Sequence, residues 1–113
     1  MKIIIGIPAF NEEKNIAQII TKLIKKFDHI LVCDDGSSDM TATIASSLGA
    51  HVIKHEKNQG YGSAIRTIFN ESKKLDGDIL VTFDADGQHQ ISEIDLTLKP
   101  TLENKSEIGI GSR

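Results

Sequence analysis

A lone cysteine, Cys33, rules out any internal disulfide in this chain of 113 residues. It sits in the apolar run 30–33, and its isolation fits a reducing compartment. Long apolar stretches are lacking as well. The run 3–7 after Lys2 is too short for the apolar region of a signal peptide. Nothing later approaches the roughly 20 apolar residues of a membrane-crossing helix. The expectation is therefore a soluble, cytoplasmic chain. There is no excess of basic charge: the net charge is −3 with both signs interspersed, which argues against a nucleic-acid partner held on a basic face. Internal repeats, low-complexity tracts and Gly/Ser linkers are also missing. What is present, 39% apolar and 26% charged residues, is an ordinary globular balance. The length suits one small domain with a core of its own, not two.

Short β-branched runs alternate with helical patterns. Residues 3–7 are continuously apolar, as in a strand buried on both faces. Ile16, Ile19, Ile20, Leu23, Ile24 and Phe27 then recur at steps of three and four, one face of a helix. Asn11 is the expected N-cap, with Glu12 and Glu13 in the first turn. A strand over 29–33 follows, then a loop to Asp39 and a helix carrying Ala42, Ile44, Ala45 and Leu48. Gly49 suits the left-handed residue that ends it. A short strand over 51–54 precedes the glycine-bearing loop 58–62 and a helix with Ala64, Ile65, Ile68 and Phe69 on one face. Residues 78–83 read as a fourth strand. A last helix is expected from Ser92, with Ile94, Leu96, Leu98 and Leu102, ended or kinked by Pro100. A fifth strand is expected over 107–110. This alternation predicts an α/β fold with a mostly parallel sheet and helices on both faces.

Ligands of such sheets bind beyond the carboxyl ends of the strands, so the segments there carry the functional reading. They are Pro8-Ala9-Phe10-Asn11-Glu12-Glu13, Asp34-Asp35-Gly36-Ser37-Ser38-Asp39, the loop with Asn58 and Gly60-Tyr61-Gly62, and Asp84-Ala85-Asp86-Gly87-Gln88-His89. Each has a plain structural explanation. The second is compatible with a turn and helix cap, and the glycines with turn residues. Together they set several carboxylates along one edge, where mutual repulsion costs stability unless a cation or hydrogen-bonding ligand offsets it. Asp84 and Asp86, one residue apart behind an apolar strand, can hold a hard divalent cation, with Gln88 as a further oxygen ligand. Mg²⁺ or Mn²⁺ there would bridge and neutralise a diphosphate. His89 is either one more ligand or an exposed loop histidine.

These segments, with Asp34-Asp35-Gly36-Ser37-Ser38-Asp39-Met40-Thr41, Asn58-Gln59-Gly60-Tyr61-Gly62-Ser63-Ala64 and Gly111-Ser112-Arg113, occur in the order and spacing of a known family. The chain resembles the inverting glycosyltransferases of GT-A fold, particularly the dolichyl-phosphate and polyprenyl-phosphate mannosyl- and glucosyltransferases. The match covers essentially the whole chain. The resemblance implies a nucleotide pocket lined by Pro8, Ala9 and Glu12, with Asp35 hydrogen-bonding the base and Gly60 to Gly62 packing close to the nucleotide. It implies Asp84 near the ribose and metal, Asp86 and Gln88 on the cation, and Arg113 near the donor or lipid phosphate. Phe10 stands where a tyrosine is common, and Ile91 where a proline often follows the metal motif. Family members continue for roughly another hundred residues that carry the acceptor site. Residues 1–113 are accordingly expected to be the donor-binding part, inactive or weakly active alone, and prone to dimerise through an uncovered sheet edge.

The implied reaction is direct displacement at the anomeric carbon of a UDP- or GDP-linked sugar. The acceptor is a lipid phosphate or a hydroxyl, which places the full-length protein at the cytoplasmic membrane face. Three other readings use the same residues. A haloacid-dehalogenase-type phosphatase also has Asp-x-Asp-Gly after an apolar strand, but on the first strand, and with Thr or Val where Gln88 stands. A nicotinamide-binding domain needs Gly-x-Gly-x-x-Gly, and residues 6–11 do not supply it. A non-catalytic nucleotide-sugar-binding module keeps the pocket without the chemistry.

Overall fold

In the computed structural model, the residues described are 2–83, 91–97 and 109–110. The strands are β1 (Ile3–Ala9), β2 (His29–Asp34), β3 (His51–Lys54), β4 (Ile79–Phe83), β5 (Ile91–Thr97) and β6 (Gly109–Ile110). The helices are α1 (Glu13–Ile24), α2 (Thr41–Ser47) and α3 (Tyr61–Lys74). The sheet order is β3-β2-β1-β4-β5-β6. The pairs β1–β2, β1–β4 and β2–β3 are parallel, whereas β4–β5 and β5–β6 are antiparallel.

The unbroken apolar run of β1 is explained by burial on both faces. Ile5, Ile7 and Ala9 join Ile16, Ile19, Ile20 and Leu23 of α1 and Ala45 of α2 in one core cluster. Ile4 points the other way and packs with Leu31, Cys33, Ala64, Ile68 and Leu80, under α3. Each buried Ile or Leu contributes about 1.5–3 kcal/mol relative to an exposed one, so α1 is held mainly by its four core residues. Ile24, expected on that face, is 44% exposed because it falls beyond the edge of the stripe. Gly49 takes φ +101°, as its place after α2 predicts.

Two expectations are corrected. Residues 91–97 form a strand, not the start of a helix, and pair with β4 through Thr82–Ser92 and Leu80–Leu96. Ile94 and Leu96 repeat at a spacing of two, which matches the strand period, and ladder bonds to β4 decide in its favour. The rest of the expected helix, with Leu98, Pro100 and Leu102, lies outside the described residues.

Asn11 does not cap α1. It adopts φ +53°, a left-handed conformation that asparagine tolerates, and the cap position is Glu12 without a side-chain cap bond. The exposed amides are satisfied from the neighbouring loop instead. Glu12 N–H donates to Thr41 Oγ1 (2.9 Å) and Glu13 N–H to Asp39 Oδ2 (3.2 Å). Glu13 Oε1 in return accepts from Met40 N–H at the start of α2 (2.9 Å). Asn11 ties the same loops, its N–H donating to Ser37 Oγ and its Oδ1 accepting from Ser38 N–H. The two loops therefore cap each other's helices.

Candidate functional site

In a sheet of order 3-2-1-4 the chain turns to opposite sides beyond β1, and the crevice at the carboxyl ends of β1 and its neighbours is where ligands bind. A cavity of about 270 Å³ lies there, lined by Pro8, Ala9, Phe10, Asp35, Asn58, Gly60, Tyr61 and Ala64. Four predicted residues, Pro8, Ala9, Asp35 and Gly60, thus meet in one place although they come from the end of β1 and the segments after β2 and β3. Phe10 and Tyr61 are 45% and 57% exposed, high values for aromatic rings.

Asp35 is the best-held side chain of the site. It is 4% exposed. Its Oδ1 accepts from Gln59 N–H (2.9 Å) and pairs with His55 Nδ1 (2.8 Å); Oδ2 accepts from Gly60 N–H (2.9 Å). Burial pushes its pKa up, but the bonds from His55, Gln59 and Gly60 outweigh it and hold the carboxyl below its ordinary range. An ionised carboxylate only accepts, so His55 Nδ1 carries the hydrogen. The far nitrogen, Nε2, lies 2.8 Å from Thr67 Oγ1 and 3.7 Å from Cys33 Sγ. Burial, reinforced by the charges of Asp35 and Asp34, pushes the Cys33 thiol up to about 12, so it stays protonated and unreactive.

Sequence reasoning missed His55. Its one signal is its place, immediately after β3 on the functional edge. Asp34 is fully buried; its Oδ1 accepts from Ser37 N–H, and Oδ2 has no partner among the described residues.

Two predicted residues fall outside the cavity. Glu12 sits at the start of α1, where its Oε1 accepts from Asn15 Nδ2 (3.1 Å). Gly62 is exposed in the first turn of α3, not in the loop before it. Asp84, Asp86, Gln88, His89 and Arg113 lie outside the described residues. Among the described residues, no three His, Cys, Asp or Glu side chains are grouped to hold a metal ion. A larger cleft of about 440 Å³ along α1, lined by Ile19, Leu23, Phe27, Phe83 and three lysines, brings together none of the predicted residues.

Residues 4–113 match the family Glycosyl transferase family 2. The chain belongs to glycosyl transferase family 2. It is 37% identical, over 95% of its length, to the UDP-N-acetylglucosamine–dolichyl-phosphate N-acetylglucosaminyltransferase of Methanococcus voltae, of which it covers 50%. It is 34% identical over its whole length to the dolichol-phosphate mannosyltransferase of Pyrococcus furiosus, covering 33% of that protein. Among solved structures, glucosyl-3-phosphoglycerate synthase from Mycobacterium tuberculosis, in complex with Mn²⁺, UDP and glucosyl-3-phosphoglycerate, superposes with a TM-score of 0.61 at 31% identity. That match covers 75% of this chain and 33% of the synthase. The family 2 chain thus spans half or less of the length of these relatives, and it shares the GT-A fold of the solved one. The family is one of glycosyltransferases, and the α/β fold expected from the motifs holds.

Proposed function

We propose that residues 1–113 form the donor-binding part of an inverting, metal-dependent glycosyltransferase that uses a nucleoside-diphosphate sugar and a polyprenyl-phosphate acceptor. The observation that carries this reading is the cavity at the end of β1, where a buried, ionised Asp35 meets Gly60 and two exposed aromatic rings. An acceptor carboxylate beside flat apolar surface suits a nucleobase, which offers N–H groups on its edge and a π-face. Pro8 and Ala9 line the cavity, and Gly60, with no atom within 4 Å of where a Cβ would sit, permits close approach beside Asp35. The solved relative holds UDP and Mn²⁺, and two relatives are named for dolichyl-phosphate acceptors, which supports the same assignment.

Asp84, Asp86 and Gln88 are the residues that would hold Mg²⁺ or Mn²⁺; their hard oxygen donors fit either ion. When bound, the cation supplies Lewis-acid stabilisation of the diphosphate leaving group. Arg113 is assigned to the donor or acceptor phosphate. A phosphate acceptor is ionised near neutrality, so attack with inversion needs no strong base. No helix among the described residues is long and apolar enough to cross a membrane. In this reading the lipid acceptor is met at the cytoplasmic membrane face.

Calorimetric titration of UDP with Mn²⁺, with chelator and into an Asp86→Ala variant tests this reading. Binding should weaken by at least about tenfold without metal or without Asp86, the loss of one charged, metal-mediated contact. Binding indifferent to both removes the metal role. Self-association belongs to the same reading: light scattering should give a dimer, and a clean monomer at high concentration counts against it.

A further inference from the structure

The base that this site accepts follows from how Asp35 is already occupied. A carboxylate has two oxygens and about four acceptor positions. Oδ1 takes two donors, His55 Nδ1–H at 2.8 Å and Gln59 N–H at 2.9 Å. Oδ2 takes one, Gly60 N–H at 2.9 Å. Among the described residues one position is left, on Oδ2, and the residue bonded there, Gly60, lines the cavity together with Asp35.

Nucleobases differ in what they present to a carboxylate. Uracil offers a single imide N–H between two carbonyls. Guanine offers two N–H groups side by side, from its ring and its amino group, which pair with both oxygens of a carboxylate at once. Cytosine carries a lone pair where uracil has the imide hydrogen, with an amino N–H beside it. With Oδ1 filled, a guanine edge leaves one donor facing an occupied oxygen, and a donor desolvated without a partner is costly.

We propose that His55 is a specificity-determining residue: by occupying Oδ1 of Asp35 it restricts the site to a base with one N–H donor, so that uridine diphosphate donors are selected over guanosine diphosphate donors. This rests on the donor-site reading above and goes beyond it in naming the base and the residue that selects it. His55 acts through Asp35 and does not touch the ligand, so it is a positioning residue. Its ring is fixed for that task. The side chain is 10% exposed, and Thr67 Oγ1 at 2.8 Å from Nε2 sets the tilt that aims Nδ1 at Asp35.

The test is calorimetric titration of UDP, GDP and CDP, each with Mn²⁺, into the wild-type chain and two variants. His55→Asn keeps an N–H donor near the position of Nδ1; His55→Leu fills the space and supplies none. Wild type should bind UDP about tenfold or more tighter than GDP. His55→Asn should keep that preference, and His55→Leu should bring the two nucleotides to within about threefold by freeing one of the two filled positions on Oδ1. A merely structural histidine would leave the UDP-to-GDP ratio unmoved in both variants, however much stability each loses. Equal affinity of wild type for UDP and GDP, with CDP rejected, overturns the selection by His55 while keeping the donor site. A ratio unchanged in His55→Leu overturns it too. UDP and CDP bound alike means that Asp35 accepts the cytosine amino group as readily as the uracil imide, which overturns selection of the uracil base, and no binding of any nucleotide overturns the donor-site reading itself. The wild-type ratio needs no variant, so a His55→Leu chain that fails to fold leaves the proposal exposed to refutation.

Discussion

Gly36→Ala should unfold at a markedly lower urea concentration than wild type, with about 3 kcal/mol or more of stability lost. Gly36 lies at φ +81°, where an L-residue with a Cβ is disfavoured by about 1–2 kcal/mol. The larger contribution is steric. A Cβ there would sit 2.4 Å from the backbone nitrogen of Asn58 and 2.5 Å from the carbonyl carbon of Lys57. Neither atom belongs to a side chain that can swing aside, so the 57–60 segment must move as backbone. That segment delivers the N–H groups of Gln59 and Gly60 to Asp35, and displacing it strips a buried carboxylate of two donors. Gly60 is the internal control. With φ +102° and ψ 163° it occupies a region essentially confined to glycine, yet a Cβ there meets nothing within 4 Å, so Gly60→Ala should lose only the conformational part, about 1–3 kcal/mol. Equal losses at the two positions, or a loss under about 1 kcal/mol at Gly36, would show that the loops do not abut as described. Nucleotide affinity should fall with stability at Gly36, since the same segment walls the cavity.

That Gly36 touches Asn58 could not be read from the chain itself, and the contrast with β1 shows why. Burial of β1 on both faces is a local message: five consecutive apolar residues admit no solvent-facing side. The stripes of α1 and α3 are local too, and both helices stand where their spacing puts them. The convergence of Pro8, Ala9, Asp35 and Gly60 was legible for a topological reason, because loops after successive parallel strands must gather at one edge. Residues 91–97 were misread because Ile94, Leu96 and Leu98 satisfy a strand period while Ser92 and the step from Leu98 to Leu102 suggest a helix. The antiparallel ladder with β4 decides between them, and no local pattern encodes a pairing partner. Asn11 was misassigned on similar grounds: its side chain suits a cap, but the caps of α1 come from Thr41 and Asp39, some 26–29 residues away. His55 left the faintest trace. A single histidine among Lys54, Glu56 and Lys57 reads as solvated, and only the fold turns it inward onto Asp35.

Asp35 is where the fold and the candidate site depend on the same atoms, and its removal should be the costliest single polar change among the described residues. Asp35→Ala leaves His55 Nδ1–H and the amides of Gln59 and Gly60 without their acceptor in a buried setting. Breaking a buried, hydrogen-bonded pair in this way costs about 3–5 kcal/mol, a large share of the total stability of a small domain. The loss should also depend on pH in a direction that the folded-state pKa determines. The carboxyl of Asp35 is held below its ordinary value of 3.8: burial opposes ionisation, but the bonds from His55, Gln59 and Gly60 prevail. A depressed pKa means that the unfolded chain takes up the proton first, so folding stability falls as pH falls. The contribution is fully present above pH 3.8 and is lost progressively below it, as pH passes through the lower folded-state value. Urea midpoints of wild type and Asp35→Ala should therefore lie far apart at pH 7, remain apart at pH 5, and approach each other below pH 3.8. Comparing the two chains at each pH cancels the other carboxylates, which titrate in both. A gap that stays constant down to pH 3 would mean that the three donors do not favour the ionised form, and would remove the physical basis for both the clamp on the loop and the selection of a base by Asp35.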